Sequence, residues 1–252
     1  MKKMLLIAAR EFAGYFRIPM ALVVLPTFLA LIGLYFYTHL INFQITVTPR
    51  PGVLFVTGYN LNDALLLPFL DSVLNVFYLV VPIVTMRLVS EEKRNNTWEL
   101  LLTYPVRPWE ILFGKYLGAL AFIFMLLVLT LPYSFSLFFF GRPELMTLLS
   151  TYLGISLYLL FFVAVGLWAS LLTENQIIAA LITAGLPLGF IVLKWLAAIS
   201  PPPFEAGFAH LLLQEHLVNF SHGLIRRSYL FIYPSITLLF ILFCFEQVQK
   251  RR

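Results

Sequence analysis

Leu145 to Leu172 reads LMTLLSTYLGISLYLLFFVAVGLWASLL, 28 residues without one Asp, Glu, Lys or Arg. A bilayer core needs only about 20 consecutive apolar residues to be crossed by a helix. The apolar side chains point in every direction around a helical wheel, the mark of a helix immersed in an apolar medium. Five more runs of the same character surround this one, at about 18–40, 66–88, 111–140, 177–199 and 229–245. Charge enters them only near their ends, at Asp71, Lys115 and Lys194, close enough to an interface to snorkel or be solvated. The strict alternation of a membrane β-barrel is absent. The expected fold is all-α, a polytopic bundle of six transmembrane helices forming one membrane domain over residues 1–252.

Composition agrees. Of 252 residues, 61% are hydrophobic and 12% charged, with a mean hydropathy of +0.91; soluble domains carry roughly a quarter charged residues. The first run is too long for a signal-peptide core and lacks a small-residue cleavage site. The lone Cys244 lies in an apolar run and cannot form a disulfide within one chain. Prolines inside the runs, at Pro26, Pro82, Pro132 and Pro187, predict kinks.

The net charge of +5 has a direction. With six spans, both termini share one side, which holds Lys2, Lys3, Arg10, Arg17, Arg87, Lys93, Arg94, Arg107, Lys115, Lys250, Arg251 and Arg252. Arg50, Arg142, Arg226 and Arg227 fall on the other side, with Lys194 near it. Twelve of 17 basic residues on one side put both termini in the cytoplasm by the positive-inside rule. No basic block suited to nucleic acid occurs.

Three segments are not simply spans. Residues 2–17 form an amphipathic helix: Lys3, Arg10 and Arg17 recur every seven residues and stay within roughly 40° of one another. Leu5, Ala8, Ala9, Phe12, Tyr15 and Phe16 lie opposite, the pattern of a helix in the cytoplasmic headgroup region. The loop 89–110 belongs to the stretch RLVSEEKRNNTWELLLTYPVRPWE (87–110), which holds Glu91, Glu92, Glu99 and Glu110 and an apolar patch at Trp98, Leu100, Leu101 and Leu102. Asn96 with Glu99 three positions on predicts a capping box opening a short helix from Thr97 to Tyr104, stopped by Pro105. The third segment, 200–228, carries Phe204, Phe208, Leu211, Leu212, Val218 and Phe220 and predicts an external interfacial helix. Its His210, His216 and His222 fall about 120° apart on a helix and cannot converge on one metal ion.

No phosphate-binding loop is present: Gly114-Lys115 lacks both the upstream glycine and the following hydroxyl. His-Glu-x-x-His, Gly-x-Ser-x-Gly and Cys-x-x-Cys are absent as well. The spans hold almost no ionisable groups, against what an ion-driven carrier requires at mid-membrane. No catalytic, cofactor or metal residues are expected, and the substrate is not legible.

The stretch Pro82 to Val106, PIVTMRLVSEEKRNNTWELLLTYPV, followed by Glu110 and Gly114-Lys115, closely resembles permease subunits of type-2 ATP-binding-cassette transporters. It is most similar to the branch containing gliding-motility and nitrous-oxide-reductase-maturation permeases. Asn95-Asn96 replaces the Ser-Gly frequent in that branch and still suits a tight turn. The resemblance implies a non-catalytic permease, usually an exporter, in a prokaryotic cytoplasmic membrane. It also implies two cytoplasmic ATPase subunits carrying ATP and Mg, and a second permease copy or paralogue. The loop would dock on the ATPase through Glu91, Glu92, Arg94, Thr97, Glu99, Leu100 and Leu101. Lys3, Arg10, Phe12, Phe16 and Arg17 would hold the first helix against lipid. The alternatives are an anchor recruiting an ATPase without transport, or an intramembrane enzyme or ion-coupled carrier built on Asp71 and Lys194.

Overall fold

The computed structural model describes residues 2–17, 19–47, 62–103, 106–140, 144–199, 217, 219–221, 223 and 227–250. The fold is all-helical among them. In chain order the helices are α1 (Lys2–Arg17), α2 (Met20–Val47), α3 (Leu67–Thr85), α4 (Ser90–Arg94), α5 (Trp98–Thr103), α6 (Pro108–Val128), α7 (Leu131–Phe140), α8 (Leu145–Leu172), α9 (Gln176–Ile199) and α10 (Arg227–Gln249). A single π-helical turn, Asn62–Leu66, leads into α3.

Five stretches are long and apolar enough to cross a membrane: Met20–Ile45, Ala64–Arg94, Pro108–Phe139, Leu145–Leu172 and Tyr229–Gln249. They coincide with five of the six expected runs. The sixth, 177–199, coincides with α9, of which the apolar stretch described in full is Gln176–Gly189.

The spans are not equivalent. Buried residues make up 72% of the most apolar window of the α8 stretch, 67% for α6–α7 and 61% for α3, against 17% for α2 and 22% for α10. Three central spans therefore build the core, and two peripheral ones leave Leu22, Val23, Leu34 and Phe231, Leu238, Leu242 exposed to the surroundings. Close contact in the centre rests on small residues, as membrane helices require. A Cβ on Gly154 would meet the Phe220 ring at 2.9 Å, and one on Gly166 would collide with the Thr85 side chain.

The run 111–140 falls within one span-length stretch, Pro108–Phe139, which is built of two helices. α6 closes at Leu129 and Thr130, whose amides reach back to Met125 and Leu127, and α7 starts at Leu131. Pro132 follows immediately; lacking an N–H, it belongs in the first turn of a helix. The first span starts at Met20 and continues past residue 40 to Val47. Of the external segment 200–228, His210, His216 and His222, with Phe204, Phe208, Leu211, Leu212 and Val218, lie outside the described residues. Phe220 is fully buried, and its carbonyl accepts a 2.6 Å hydrogen bond from Ser150 of α8.

Candidate functional site

The segment between α3 and α6 brings the most ionisable chemistry together. α3 ends at Met86, whose amide bonds to the Pro82 carbonyl. The chain then turns on the end of α8: Ser170 Oγ accepts from the amides of Val89 (2.9 Å) and Ser90 (3.0 Å) and donates to the Met86 carbonyl (3.1 Å). One hydroxyl thus satisfies three backbone groups of a turn that makes no helical ladder.

α4 starts from that turn with Glu91 and Glu92 in its first turn and Lys93 and Arg94 in its last, the arrangement its dipole favours. Asn96 stops it. With φ of 56° Asn96 is left-handed, its amide bonds to Lys93 O (3.0 Å), and the Thr97 amide bonds to Glu92 O (2.9 Å). These two bonds form a Schellman motif. The expected capping box, with Asn96 opening the next helix, is therefore corrected: a helix-opening residue has extended backbone, and Asn96 closes the helix before it. The short helix that follows, α5, is Trp98–Thr103, with Thr97 just before it; Tyr104, its expected end, lies outside the described residues. A true helix-opening acid stands further on, where Glu110 Oε2 accepts from the Arg107 amide at 3.2 Å and Pro108 begins α6.

Lys115 is the centre of the site. Expected to snorkel to the interface, its side chain is instead 2% exposed, because acceptors surround it inside the protein. Nζ donates to Glu11 Oε1 of α1 (2.8 Å), Glu92 Oε1 of α4 (2.7 Å) and the Leu88 carbonyl (2.7 Å). An ammonium has three protons, and all three are used. Glu92 Oε2 is buried without a hydrogen-bond partner. The neighbouring Lys93 is buried too, its ammonium donating to the Leu171 carbonyl at the end of α8. Arg87 completes the cluster: its Nε and a terminal nitrogen donate to Glu91 Oε2 at 2.8 and 2.7 Å.

α1 reaches Lys115 because α6 offers it glycines. A Cβ on Gly114 would stand 2.7 Å from Ile7 Cβ, and one on Gly118 would stand 2.6 Å from Glu11 Cβ. With the two glycines four apart, the backbones touch and the Lys115 side chain between them meets Glu11. Tyr15 stacks on Phe122 at 4.7 Å and donates to the Val84 carbonyl (3.3 Å); burial pushes its phenol far above the usual range, so it stays a donor. α1 therefore has three strips, where two were expected. Ile7, Glu11 and Tyr15 face the protein, Leu5, Leu6 and Phe16 are exposed apolar residues, and Lys3, Arg10 and Arg17 form an exposed basic edge. Phe12 is half-buried and packs edge-on against Phe16.

The predicted docking residues divide. Glu91 and Glu92 are turned inward, onto Arg87 and Lys115. Arg94, Thr97, Glu99 and Leu100 are exposed, Leu100 by 64%, while Trp98 is buried in the core. The Leu101 side chain lies outside the described residues, as does that of Lys194; Asp71 is exposed and accepts from Asn75 at 3.3 Å. Glu11, Lys93 and Ser170 were missed. Glu11 could have been suspected as the only acid in an otherwise basic amphipathic helix, and Lys115 from its place between two glycines four apart.

Residues 20–237 match the family model described as ABC-2 family transporter protein. The chain belongs to that family. The match takes in α2 through the first half of α10, and with them Glu92, Lys115 and the loop; α1 and Glu11 precede it. No curated protein gives a significant match. An ABC-2 protein is a membrane transport component, generally non-catalytic, and membership implies association with ABC ATPase subunits. Among the described residues no group of three or more His, Cys, Asp or Glu could hold a metal ion. The arrangement can fix a short surface helix rigidly to three other helices, which is a mechanical capability.

Proposed function

We propose that this permease is a six-span exporter subunit with both termini in the cytoplasm. Two ATPase subunits, which carry ATP and Mg, drive it through the α4–α5 loop. One observation carries this reading: the loop is tied to α1, α6 and α8 by buried ion pairs and hydrogen bonds while Thr97, Glu99 and Leu100 stand exposed at its tip. A short helix with an exposed leucine, held firmly from behind, is suited to receive a partner and to pass on its motion.

Docking falls to Arg94, Thr97, Glu99, Leu100 and Leu101, with the leucines at the centre of a small interface and the charges at its rim. Glu91 and Glu92 act as positioning residues, holding the loop to Arg87 and Lys115. ATP binding closes the ATPase pair and shifts the bundle between two arrangements. α1 moves with the loop because Lys115 joins them, its basic edge and Phe16 resting on lipid. The sequence of residues 82–106 supports the gliding-motility and nitrous-oxide-reductase-maturation branch, and a second permease copy completes the unit.

The test is copurification of the cognate ATPase with permease variants. Glu99→Lys and Leu100→Asp are expected to lose it while membrane insertion is retained. Retention in both would refute the docking assignment.

A further inference from the structure

Between α3 and α9 runs a lateral groove of about 400 Å³, within the ~300–1,000 Å³ range of ligand sites. Its walls are apolar: Tyr78, Pro82 and Ile83 from α3 face Ile177, Leu181 and Leu188 from α9. It ends at Asn75 on one side and at Leu188 on the other. From Asn75 to Ile83 a helix rises about 12 Å, and from Ile177 to Leu188 about 16 Å. That is half of the ~30 Å hydrocarbon core, the depth of one leaflet.

At its other end the groove reaches Ile177, which also lines a second cavity of about 430 Å³. This one is lined by Arg94, Glu174, Asn175 and Gln176 with Ile177, so it brings charged groups to the end of the groove. It lies on the α4 side of the membrane, where Lys93 meets the end of α8. Arg94 and Glu174 are both exposed, and neither has an ion-pair partner among the described residues. A cationic and an anionic group thus share the mouth of an apolar slot one leaflet deep.

We infer that this composite groove binds a phospholipid of the α4-side leaflet with an amine-bearing headgroup. The phosphate pairs with Arg94, the amine with Glu174, and one acyl chain lies along Tyr78, Ile83 and Leu181. Charge and length both favour a lipid over a helix of a second copy. A partner helix would need an apolar face over a full span and would have no use for paired opposite charges at one end. The inference rests on the membrane-spanning reading; Arg94, set above at the rim of the ATPase interface, is the one residue that the two readings share.

The experiment uses the full-length permease in nanodiscs, with phosphatidylethanolamine bearing a photoactivatable group midway along one acyl chain. Crosslinks mapped by mass spectrometry are expected in 78–83 and 180–188. Leu181→Trp, at an exposed position where folding is not at stake, is expected to cut that labelling roughly tenfold, about 1.4 kcal/mol. Glu174→Gln is expected to reduce labelling by phosphatidylethanolamine and leave labelling by phosphatidylglycerol unchanged. As a second measurement, Leu181→Cys permease is oxidised in the same nanodiscs, and no disulfide between copies is expected. Crosslinks elsewhere, labelling unmoved by Leu181→Trp, equal loss for both lipids in Glu174→Gln, or a disulfide between two copies of the Leu181→Cys variant that abolishes labelling would each overturn the inference. Loss of the lipid signal with ATPase copurification intact would leave the permease reading standing.

Discussion

The Lys115 ammonium on α6 lies 2.7 Å from the Glu92 carboxylate on α4 and 2.8 Å from the Glu11 carboxylate on α1. One buried cation therefore ties together three helices from distant parts of the chain. Two carboxylates around one lysine carry an excess negative charge inside the protein, so the cluster tolerates loss of an acid far better than loss of the lysine.

Lys115→Met is accordingly the most damaging single change at the site. It removes the ammonium that bridges two carboxylates, and removal of one partner from a buried ion pair costs about 3–5 kcal/mol. Replacing all three, as Glu11→Gln, Lys115→Met and Glu92→Gln, is expected to recover much of that loss. Thermal unfolding of the detergent-solubilised permease reads both. A triple variant no more stable than Lys115→Met would refute the pairing.

Gly118→Leu is expected to lift α1 from α6, since even the first added carbon would stand 2.6 Å from Glu11 Cβ. Overpacking of this kind costs typically about 1–3 kcal/mol. Gly185→Leu is the control, because nothing lies within 4 Å of the Cβ position there. Protease cleavage of α1 should rise in the first variant and stay unchanged in the second.

Asn96→Gly is expected to leave the loop intact and Asn96→Val to loosen it. The left-handed backbone at φ 56° suits glycine, whereas a side chain branched at Cβ meets a penalty of at least about 1–2 kcal/mol. Limited proteolysis between α4 and α5 distinguishes the two, and equal cleavage would contradict the Schellman assignment.

Ser170→Ala removes the one acceptor shared by the Val89 and Ser90 amides. Each buried group left unpaired costs about 1–3 kcal/mol. Hydrogen exchange at residues 89 and 90 should accelerate with the rest of α8 unchanged, and unaltered exchange would show that the turn holds itself.

The bundle was legible because apolar run length and all-round hydrophobicity are local properties: α8 has the very bounds that its sequence suggests. The break at Leu129–Thr130 was less so, since Pro132 is compatible with a kink or a new helix start. Asn96 was misassigned because asparagine serves both as helix opener and as left-handed helix closer, and only the backbone angle decides. Glu92 looked like a docking acid, being charged and set in a hydrophilic loop. Nothing local announces that Lys115, 23 residues away, and Glu11, on another helix, fold onto it. Proximity of that kind depends on helix packing through Gly114 and Gly118, which periodicity does not encode.

The central claim is a division of labour within one loop, with Glu92 holding it from behind and Leu100 presented in front. It is tested most directly by measuring ATPase affinity for full-length permease carrying Leu100→Asp or Glu92→Gln in nanodiscs. Leu100→Asp is expected to weaken binding by about 2 kcal/mol or more, as for a buried interface centre. Glu92→Gln is expected to preserve binding while reducing permease-dependent stimulation of ATP hydrolysis. The reverse pattern, with binding lost in Glu92→Gln and kept in Leu100→Asp, would contradict the account.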